Sequence, residues 1–192
     1  MRKFFVVILV SSLLVLVVAA GYGAYYYQTH KEEIILTLER TFKQLALPYH
    51  LMRLTEQEPD AQLLIPIQGL PKSAIANNWG DPRSGGRSHE GIDIFARRGT
   101  PVFSATEGYV RRVGFGELGG NFVYITGKGG IRYYYAHLDS IAQGIEIGTR
   151  VTSDTVLGFV GNTGNAEGTE PHLHFGMYHR GAKNPYDLLT ER

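Results

Sequence analysis

The sequence predicts a mainly β domain built from antiparallel strands. Of its 24 glycines, 22 lie from Gly69 onward, interleaved with β-branched and aromatic residues, a composition typical of short strands joined by tight turns. Beyond Pro71 no segment has the length and spacing of an amphipathic helix, which favours an antiparallel sheet over alternating strands and helices. The candidate strands lie at residues 91–95, 102–105, 108–113, 122–126, 132–137, 156–160 and 172–177.

Residues 1–27 are predicted to form a single-pass membrane anchor. Arg2 and Lys3 precede an apolar run over residues 4–20, and a helix continued to residue 27 is long enough to cross a hydrocarbon core of about 30 Å. The tyrosines at positions 25–27 would lie at the lipid headgroups, and the leading basic residues would stay in the cytoplasm. The alternative is a cleaved signal peptide, because the residues at positions 18–20 suit a signal peptidase. Either way, we expect the rest of the chain outside the cytoplasm.

An amphipathic helix is predicted over residues 31–47, where apolar residues recur at helical spacing and charged residues occupy the rest of the helical wheel. The apolar residues are Ile34, Ile35, Leu38, Phe42 and Leu45. Such a helix could serve as a spacer, as a dimer contact or as a lid on the domain. The spacer is the simplest of these interpretations, and the oligomeric state stays open.

The next stretch is rich in proline, which argues against a longer helix. The prolines are Pro48, Pro59, Pro66 and Pro71. We therefore place a linker over residues 48–62 and the start of the domain near Leu63. The predicted organisation is an anchor or signal sequence over residues 1–27, a helical spacer and linker over residues 28–62, and one domain over residues 63–192.

The composition limits the chemistry that this domain can carry. Formal charge is +1, from 19 Lys and Arg against 18 Asp and Glu, so no basic field is available to hold nucleic acid by its phosphates. The chain has no cysteine, which excludes disulfides, thiolate metal sites and a cysteine nucleophile. Any metal ion must therefore be held by His, Asp or Glu.

Four of the seven histidines fall in three short β-like segments, at residues 88–93, 135–138 and 171–175. His89 and Asp93 are four residues apart, and His172 and His174 are two apart, so each pair projects from one face of a strand. Any one histidine is explained as a satisfied polar residue on a half-buried strand. Two such strands side by side, however, would present three or four ligands to one point. Zinc accepts about four nitrogen and oxygen ligands, and a catalytic site keeps one position open, so the set predicts a zinc site.

A helical zinc motif is the competing interpretation of the first segment. His89 and Glu90 begin like the His-Glu-x-x-His signature of zinc proteases, with Asp93 in place of the second histidine. Gly91 is a poor helix residue, and residues 91–95 have the composition of a strand. Glu90 would then point away from His89 and could not act as the base. We therefore reject the helical motif.

The three segments together resemble the signature of the lysostaphin-type (M23) zinc metallopeptidases, which cut peptidoglycan peptides. The resemblance rests on His89-x-x-x-Asp93, on Tyr135-Ala136-His137-Leu138 and on His172-x-His174, which occur in the order found in the family. It extends over residues 80–186 and includes the glycine-rich segments at residues 99–102 and 158–164. The resemblance implies a small, two-layered antiparallel β domain of the lysostaphin-type peptidase kind, with a groove across it.

The resemblance also implies roles for five residues. His89, Asp93 and His174 would hold Zn2+, while His137 and His172 would line the site as catalytic groups. One of these two would take a proton from water and return it to the leaving amine, and the other would hydrogen-bond the oxyanion. The sequence does not decide between them, because the position of His137 depends on how the strands pair.

One position departs from part of the family. Gram-positive glycyl-glycine cutters carry a tyrosine six residues before the first zinc histidine, and this chain has Arg83 there. The surrounding residues 79–87 look more like exported or membrane-anchored enzymes of Gram-negative bacteria. Arg83 and Arg87 could contact carboxylates of a substrate peptide, although solvated loop arginines are the simpler interpretation. The aromatic residues could line a groove or simply pack; they are Trp79, Tyr133, Tyr134 and Tyr135.

The sequence therefore predicts a zinc endopeptidase that hydrolyses the cross-linking peptides of peptidoglycan outside the cytoplasmic membrane. Its expected partners are the peptide substrate and, through the N-terminal helix, the cytoplasmic membrane, with no nucleic acid. The expected location is the inner membrane with the catalytic domain in the periplasm, or the periplasm alone after signal cleavage. The alternatives are a non-catalytic murein-binding regulator of other cell-wall hydrolases and a zinc peptidase that acts on an exported protein.

Overall fold

The computed structural model describes residues 2–192, with side chains from Val15 onward. The chain divides into two compact units, Met1–Phe42 and Lys43–Arg192. One long helix, α1 (Arg2–Thr55), supplies the first unit and the beginning of the second. Within the first unit, the Tyr26 ring stacks on the His30 ring one turn later, with centroids 4.2 Å apart.

The prediction that Pro48 ends the helix is wrong, because α1 continues through it to Thr55. The linker predicted over residues 48–62 is therefore helical in its first half. Leu47 and Leu54, on either side of the proline, are 3% and 6% exposed and pack within the second unit. Burial of these side chains offsets the lost backbone hydrogen bond, since packing rather than local preference supplies most helical stability.

The predicted membrane anchor over residues 1–27 is also wrong. Among the described residues, no helix is both long and apolar enough to cross a membrane. Residues 4–14 of the apolar run lie outside the part of the chain whose side chains the structure describes. The predicted single-pass location in the inner membrane is corrected accordingly.

The second unit is mainly β, as predicted. Its strands are β1 (Leu63–Leu64), β2 (Pro82–Arg83), β3 (Arg87–Ser88), β4 (Ile92–Phe95), β5 (Pro101–Phe103), β6 (Gly108–Gly116), β7 (Gly120–Gly127), β8 (Arg132–Ile141), β9 (Arg150–Val151), β10 (Val156–Val160), β11 (His172–Tyr178), β12 (Ala182–Lys183) and β13 (Leu189–Thr190). Short 3-10 helices lie at Lys72–Ala74, Ser84–Gly86, Lys128–Gly130, Gly164–Ala166 and Tyr186–Leu188.

The main sheet of this unit is antiparallel, in the order β12-β11-β8-β7-β6-β9. Strand β4 pairs with β11 on the same edge as β12, opposite β8. Strand β10 pairs with both β5 and the far end of β8. Two small additions complete it: β1 pairs with β13 in parallel, and β2 with β3 in an antiparallel hairpin. The prediction of an antiparallel β class is confirmed, and each candidate strand of the sequence overlaps an observed one.

Over residues 133–136 of β8 and along β11, side chains alternate between the hydrophobic core and the opposite face of the sheet. Tyr133, Tyr135 and Phe175 point into the hydrophobic core and are at most 1% exposed. Tyr134 and Ala136 alternate with these two tyrosines and lie on the other face, and Ala136 is paired with His174. Because side chains alternate along a strand, the buried tyrosines fix which face receives the histidines of β11.

Candidate active site

Three of the predicted site residues lie close together, two on neighbouring strands and one in the segment before them. Asp93 of β4 lies directly across from His174 of β11 in the strand register, and His89 lies in the segment just before β4. Nε2 of His89 is 2.9 Å from Nδ1 of His174 and 3.0 Å from Oδ1 of Asp93, and the last two atoms are 3.2 Å apart. These residues form a group that could hold a metal ion.

The spacing of the three atoms fits a tetrahedral ion. Ligands at about 2.05 Å from zinc lie about 3.3 Å apart in a regular tetrahedron, close to the 2.9–3.2 Å observed between these donors. Two imidazole nitrogens and one carboxylate oxygen are also the donor types that zinc accepts. We therefore expect a small conformational adjustment at most when an ion binds to His89, Asp93 and His174.

His89 is oriented by a main-chain carbonyl. Its Nδ1 lies 2.8 Å from the carbonyl oxygen of Asn78, and a carbonyl can only accept, so Nδ1 carries the proton. The neutral ring then presents an unprotonated Nε2 to Asp93 and His174, which is the form that binds a metal. His89 is 3% exposed, so the ring has little freedom to turn away.

Asp93 remains ionised in spite of its burial. Burial opposes the charge, but the close contacts with the His174 and His89 rings outweigh it and lower the pKa of Asp93 below its usual range. The Asn78 side chain also holds this residue, because its Oδ1 accepts from the Asp93 N–H at 3.1 Å and its Nδ2 donates to Oδ2 at 3.4 Å. One loop residue therefore positions both His89 and Asp93.

The His174 ring is in close contact with both His89 and Asp93. Burial lowers the pKa of His174, and the hydrogen bond and charge of Asp93 only partly oppose this. Gly91 lies against the same ring: a Cβ on it would be 2.7 Å from both Cε1 and Nε2 of His174. The His174 ring therefore occupies space that any other residue at position 91 would fill.

His137 reaches the site through an irregularity in β8. The residues opposite shift from Asn121 with Leu138 to Val123 with Tyr135, which leaves one extra residue in β8 at a bulge. His137 has φ 61, a conformation uncommon for a residue with a side chain. Regular alternation would aim it into the core behind Tyr135, and the bulge turns it instead toward the groove.

The two further histidines lie side by side next to the three-residue group. The ring centroids of His137 and His172 are 5.1 Å apart, and Nε2 of His172 is 4.0 Å from Oδ1 of Asp93. Nδ1 of His137 donates to the Thr163 carbonyl at 2.9 Å, and Nδ1 of His172 donates to the Glu170 carbonyl at 2.8 Å. In the neutral form of each ring, Nε2 is therefore the unprotonated nitrogen.

Burial also lowers the pKa of His137, to about 4, with smaller contributions from the charges of His174 and His172, while the Thr163 carbonyl opposes the shift. The neutral form of this ring is therefore the stable one near neutral pH. A neutral imidazole beside a water-accessible groove can accept a proton, which is what a general base must do.

All five histidine and aspartate side chains line one groove, a cavity of about 680 Å³. Tyr134 lines the groove as well, whereas Tyr133 and Tyr135 are core residues. The packing interpretation is therefore correct for two of the three tyrosines. Trp79 is half-buried and does not belong to the groove lining.

Arg83 is not the solvated loop residue that the simpler interpretation of the sequence predicted. Its Nη2 donates to Oδ2 of Asp93, and it lines the groove. Arg87 instead donates to the carbonyl and hydroxyl oxygens of Ser84 in its own hairpin. Sequence reasoning missed Asn78 altogether, because it precedes His89 by eleven residues in an irregular loop and no periodic pattern links the two.

A model of the family described as peptidase family M23 matches residues 87–187, more than half of the chain. The chain belongs to peptidase family M23. The match contains His89, Asp93, His137, His172 and His174. It confirms the resemblance predicted from the sequence.

Curated relatives in this family include endopeptidases of bacterial cell walls. The L-Ala--D-Glu endopeptidase of Bacillus subtilis is 42% identical over 109 residues, which cover 53% of this chain and 33% of the relative. The peptidoglycan DD-endopeptidase ShyC of Vibrio cholerae is 34% identical over 100 residues, which cover 52% of this chain and 22% of the relative. The chain thus spans a third or less of the length of these M23 relatives.

The fold also matches a solved M23 structure. The catalytic domain of lysostaphin from Staphylococcus simulans superposes with a TM-score of 0.50 at 27% identity, and the match covers 59% of this chain and 84% of that domain. The similarity supports a mainly β lysostaphin-type fold with an antiparallel sheet. The long N-terminal helix is additional to that β fold.

Proposed function

We propose that this chain is a zinc-dependent endopeptidase that hydrolyses the cross-linking peptides of peptidoglycan. The convergence of His89, Asp93 and His174 within 2.9–3.2 Å of one another, at a groove lined also by His137 and His172, is the observation that carries the proposal. Membership of family M23 and the names of the matched relatives support the class of substrate. The peptidase domain is proposed to comprise residues 63–192, after a helical spacer and linker over residues 28–62.

The proposed ligands are Nε2 of His89, Oδ1 of Asp93 and Nδ1 of His174. Zinc bound there would act as a Lewis acid that polarises the scissile carbonyl and acidifies a water molecule. Asn78 keeps the first two ligands in place through its carbonyl and its side-chain amide. The carbonyl fixes the tautomer of His89, and the amide fixes the orientation of Asp93, before the ion arrives.

His137 and His172 are the proposed catalytic groups. Because both rings hold their Nδ1 protons on main-chain carbonyls, proton transfer takes place at Nε2. One of the two accepts a proton from the attacking water and passes it to the leaving amine. The other takes up a proton from solvent at Nε2 and donates a hydrogen bond to the oxyanion. Their rings are close enough, at 5.1 Å, to reach two sides of the same scissile bond.

Digestion of purified, cross-linked peptidoglycan with the full chain tests the proposal. We expect the muropeptide profile to shift from cross-linked to uncross-linked products, and we expect His89→Ala to abolish the shift. His179→Ala is the matched control, because His179 does not line the groove. Wild-type and buffer-treated profiles that coincide would overturn the proposal, and a protein that binds peptidoglycan without zinc or cleavage would point to the regulator instead.

A further inference from the structure

The Arg83 side chain contacts one of the proposed metal ligands and also lines the groove. It lies at the end of β2, and its Nη2 donates to Oδ2 of Asp93. The Arg83 side chain is 36% exposed, whereas that of Asp93 is 11% exposed. The Arg83 side chain therefore contacts a buried carboxylate and is itself partly exposed in the groove. An arginine that served only to hold Asp93 would not need this exposure.

The two oxygens of Asp93 have separate partners. Oδ1 faces His89 and His174, at 3.0 and 3.2 Å. Oδ2 accepts from Arg83 and also from Nδ2 of Asn78, at 3.4 Å. Asn78 is not part of the groove lining. The same oxygen is thus held by one donor that lines the groove and by one that does not.

The Arg83 guanidinium has further N–H groups that could bind a second carboxylate. Within the described residues, the guanidinium bonds to Asp93 through one nitrogen, Nη2. Its remaining N–H groups, arranged in a planar fork, suit a second carboxylate. Arg87, across the β2–β3 hairpin, instead has Nε and Nη2 directed at Ser84. Arg83 is therefore the better placed of the two arginines to contact a ligand.

The charge of the groove favours an anion once a divalent cation is bound. The lining contains two arginines, Arg83 and Arg87, and two carboxylates, Glu90 and Asp93, so these groups balance without an ion. A divalent cation on Asp93 leaves an excess of positive charge beside Arg83. A carboxylate of the substrate would then be attracted to the guanidinium and held by charge-assisted hydrogen bonds.

We propose that Arg83 determines specificity by binding a free carboxylate of the substrate peptide while it holds Oδ2 of Asp93. This inference rests on the proposed function, because peptidoglycan stem peptides supply the carboxylates. The guanidinium thereby couples recognition of the peptide to the position of a metal ligand. A substrate whose carboxylates are amidated lacks the acidic partner and should be cleaved less efficiently.

The test compares two soluble cross-linked stem peptides, one with free carboxylates and one with those carboxylates amidated. We expect wild-type enzyme to show the lower KM for the free form, and Arg83→Gln to raise that KM about ten- to a hundredfold. KM for the amidated peptide should change little, and Arg83→Lys should keep part of the preference. Zinc affinity of every variant is measured in parallel by competition with a chelator.

Asn78→Ala is the matched control, because it removes the other donor to Oδ2 without changing the charge of the groove. It should weaken zinc binding, as Arg83→Gln does, but keep the preference for free carboxylates. An Arg83→Gln variant that loses activity on both peptides by the same factor would overturn the inference and leave Arg83 as a support for Asp93. If wild-type enzyme cleaves neither peptide, the proposed function fails, and calorimetric binding of the two peptides to the zinc-loaded chain still tests the inference.

Discussion

Gly91→Ala should damage the metal centre although Gly91 has no side chain of its own to lose. An added Cβ would lie 2.7 Å from Cε1 and Nε2 of His174 and 2.7 Å from the main-chain oxygen of Phe175. Carbon atoms in contact prefer about 3.5 Å or more, so the shortfall is about 0.8 Å. The glycine is required here for space, since its φ is not in the left-handed region.

The strain should be relieved mainly at His174. The Phe175 main chain is fixed between β4 and β8, where this residue pairs with Ile92 and Tyr135, so the imidazole ring must move. Metal-ligand distances tolerate about 0.2 Å, and loss of ligand orientation typically lowers metal affinity about ten- to a hundredfold. Overpacking at such a site also costs about 1–3 kcal/mol of folding free energy.

Chelator competition measures the zinc affinity of Gly91→Ala, and denaturant unfolding of the zinc-free chain measures its stability. Gly114→Ala is the control, because Gly114 also lies in a strand and its added Cβ would meet only Cζ of Phe122, at 3.9 Å. We expect the control to resemble wild type in zinc affinity. Wild-type affinity and stability in Gly91→Ala would refute the reasoning that the His174 ring occupies the space of a side chain at position 91.

Three further outcomes follow from buried groups and from the ligand set. Tyr135→Phe should lower the free energy of unfolding by about 1–3 kcal/mol in urea titrations, because the buried Ala105 N–H loses its acceptor at 2.9 Å. Burial raises the pKa of Tyr134 and Tyr135 from 10.0 to about 12. Between these two pH values the folded chain keeps protons that the unfolded chain releases. The free energy of unfolding, measured with denaturant, should therefore fall as the pH rises from 10 to about 12. Zinc at a hundredfold excess over its dissociation constant should stabilise the folded chain by about 2.7 kcal/mol in thermal unfolding, and His89→Ala should abolish this gain.

The positions of three site residues could be predicted because they lie on regular strands. Alternation along β11 placed His172 and His174 on one face, and the observed register sets His174 opposite Asp93. His137 could not be placed in this way, because its orientation depends on a bulge and on φ 61 at a residue that is not glycine. No residue type in that segment signals the irregularity, so only strand pairing reveals it.

Long-range contacts explain the remaining errors of sequence reasoning. Arg83 looked like a solvated loop arginine, since nothing in its neighbourhood in the sequence supplies the carboxylate that it contacts ten residues later. Pro48 looked like the end of a helix, and buried Leu47 and Leu54 carry the helix through it. An ion pair in the first case and buried side chains in the second outweighed the local preference.

The histidine tautomers illustrate a deeper limit of sequence reasoning. Three of the four site rings donate Nδ1–H to a main-chain carbonyl, those of Asn78, Thr163 and Glu170. Every residue type supplies such a carbonyl, so no sequence motif marks it, yet it determines which nitrogen faces the groove. The chemistry of the site therefore depends on the backbone path of three loops as much as on its histidines. A substitution that moves one of these loops should alter zinc affinity or turnover without changing any ligand.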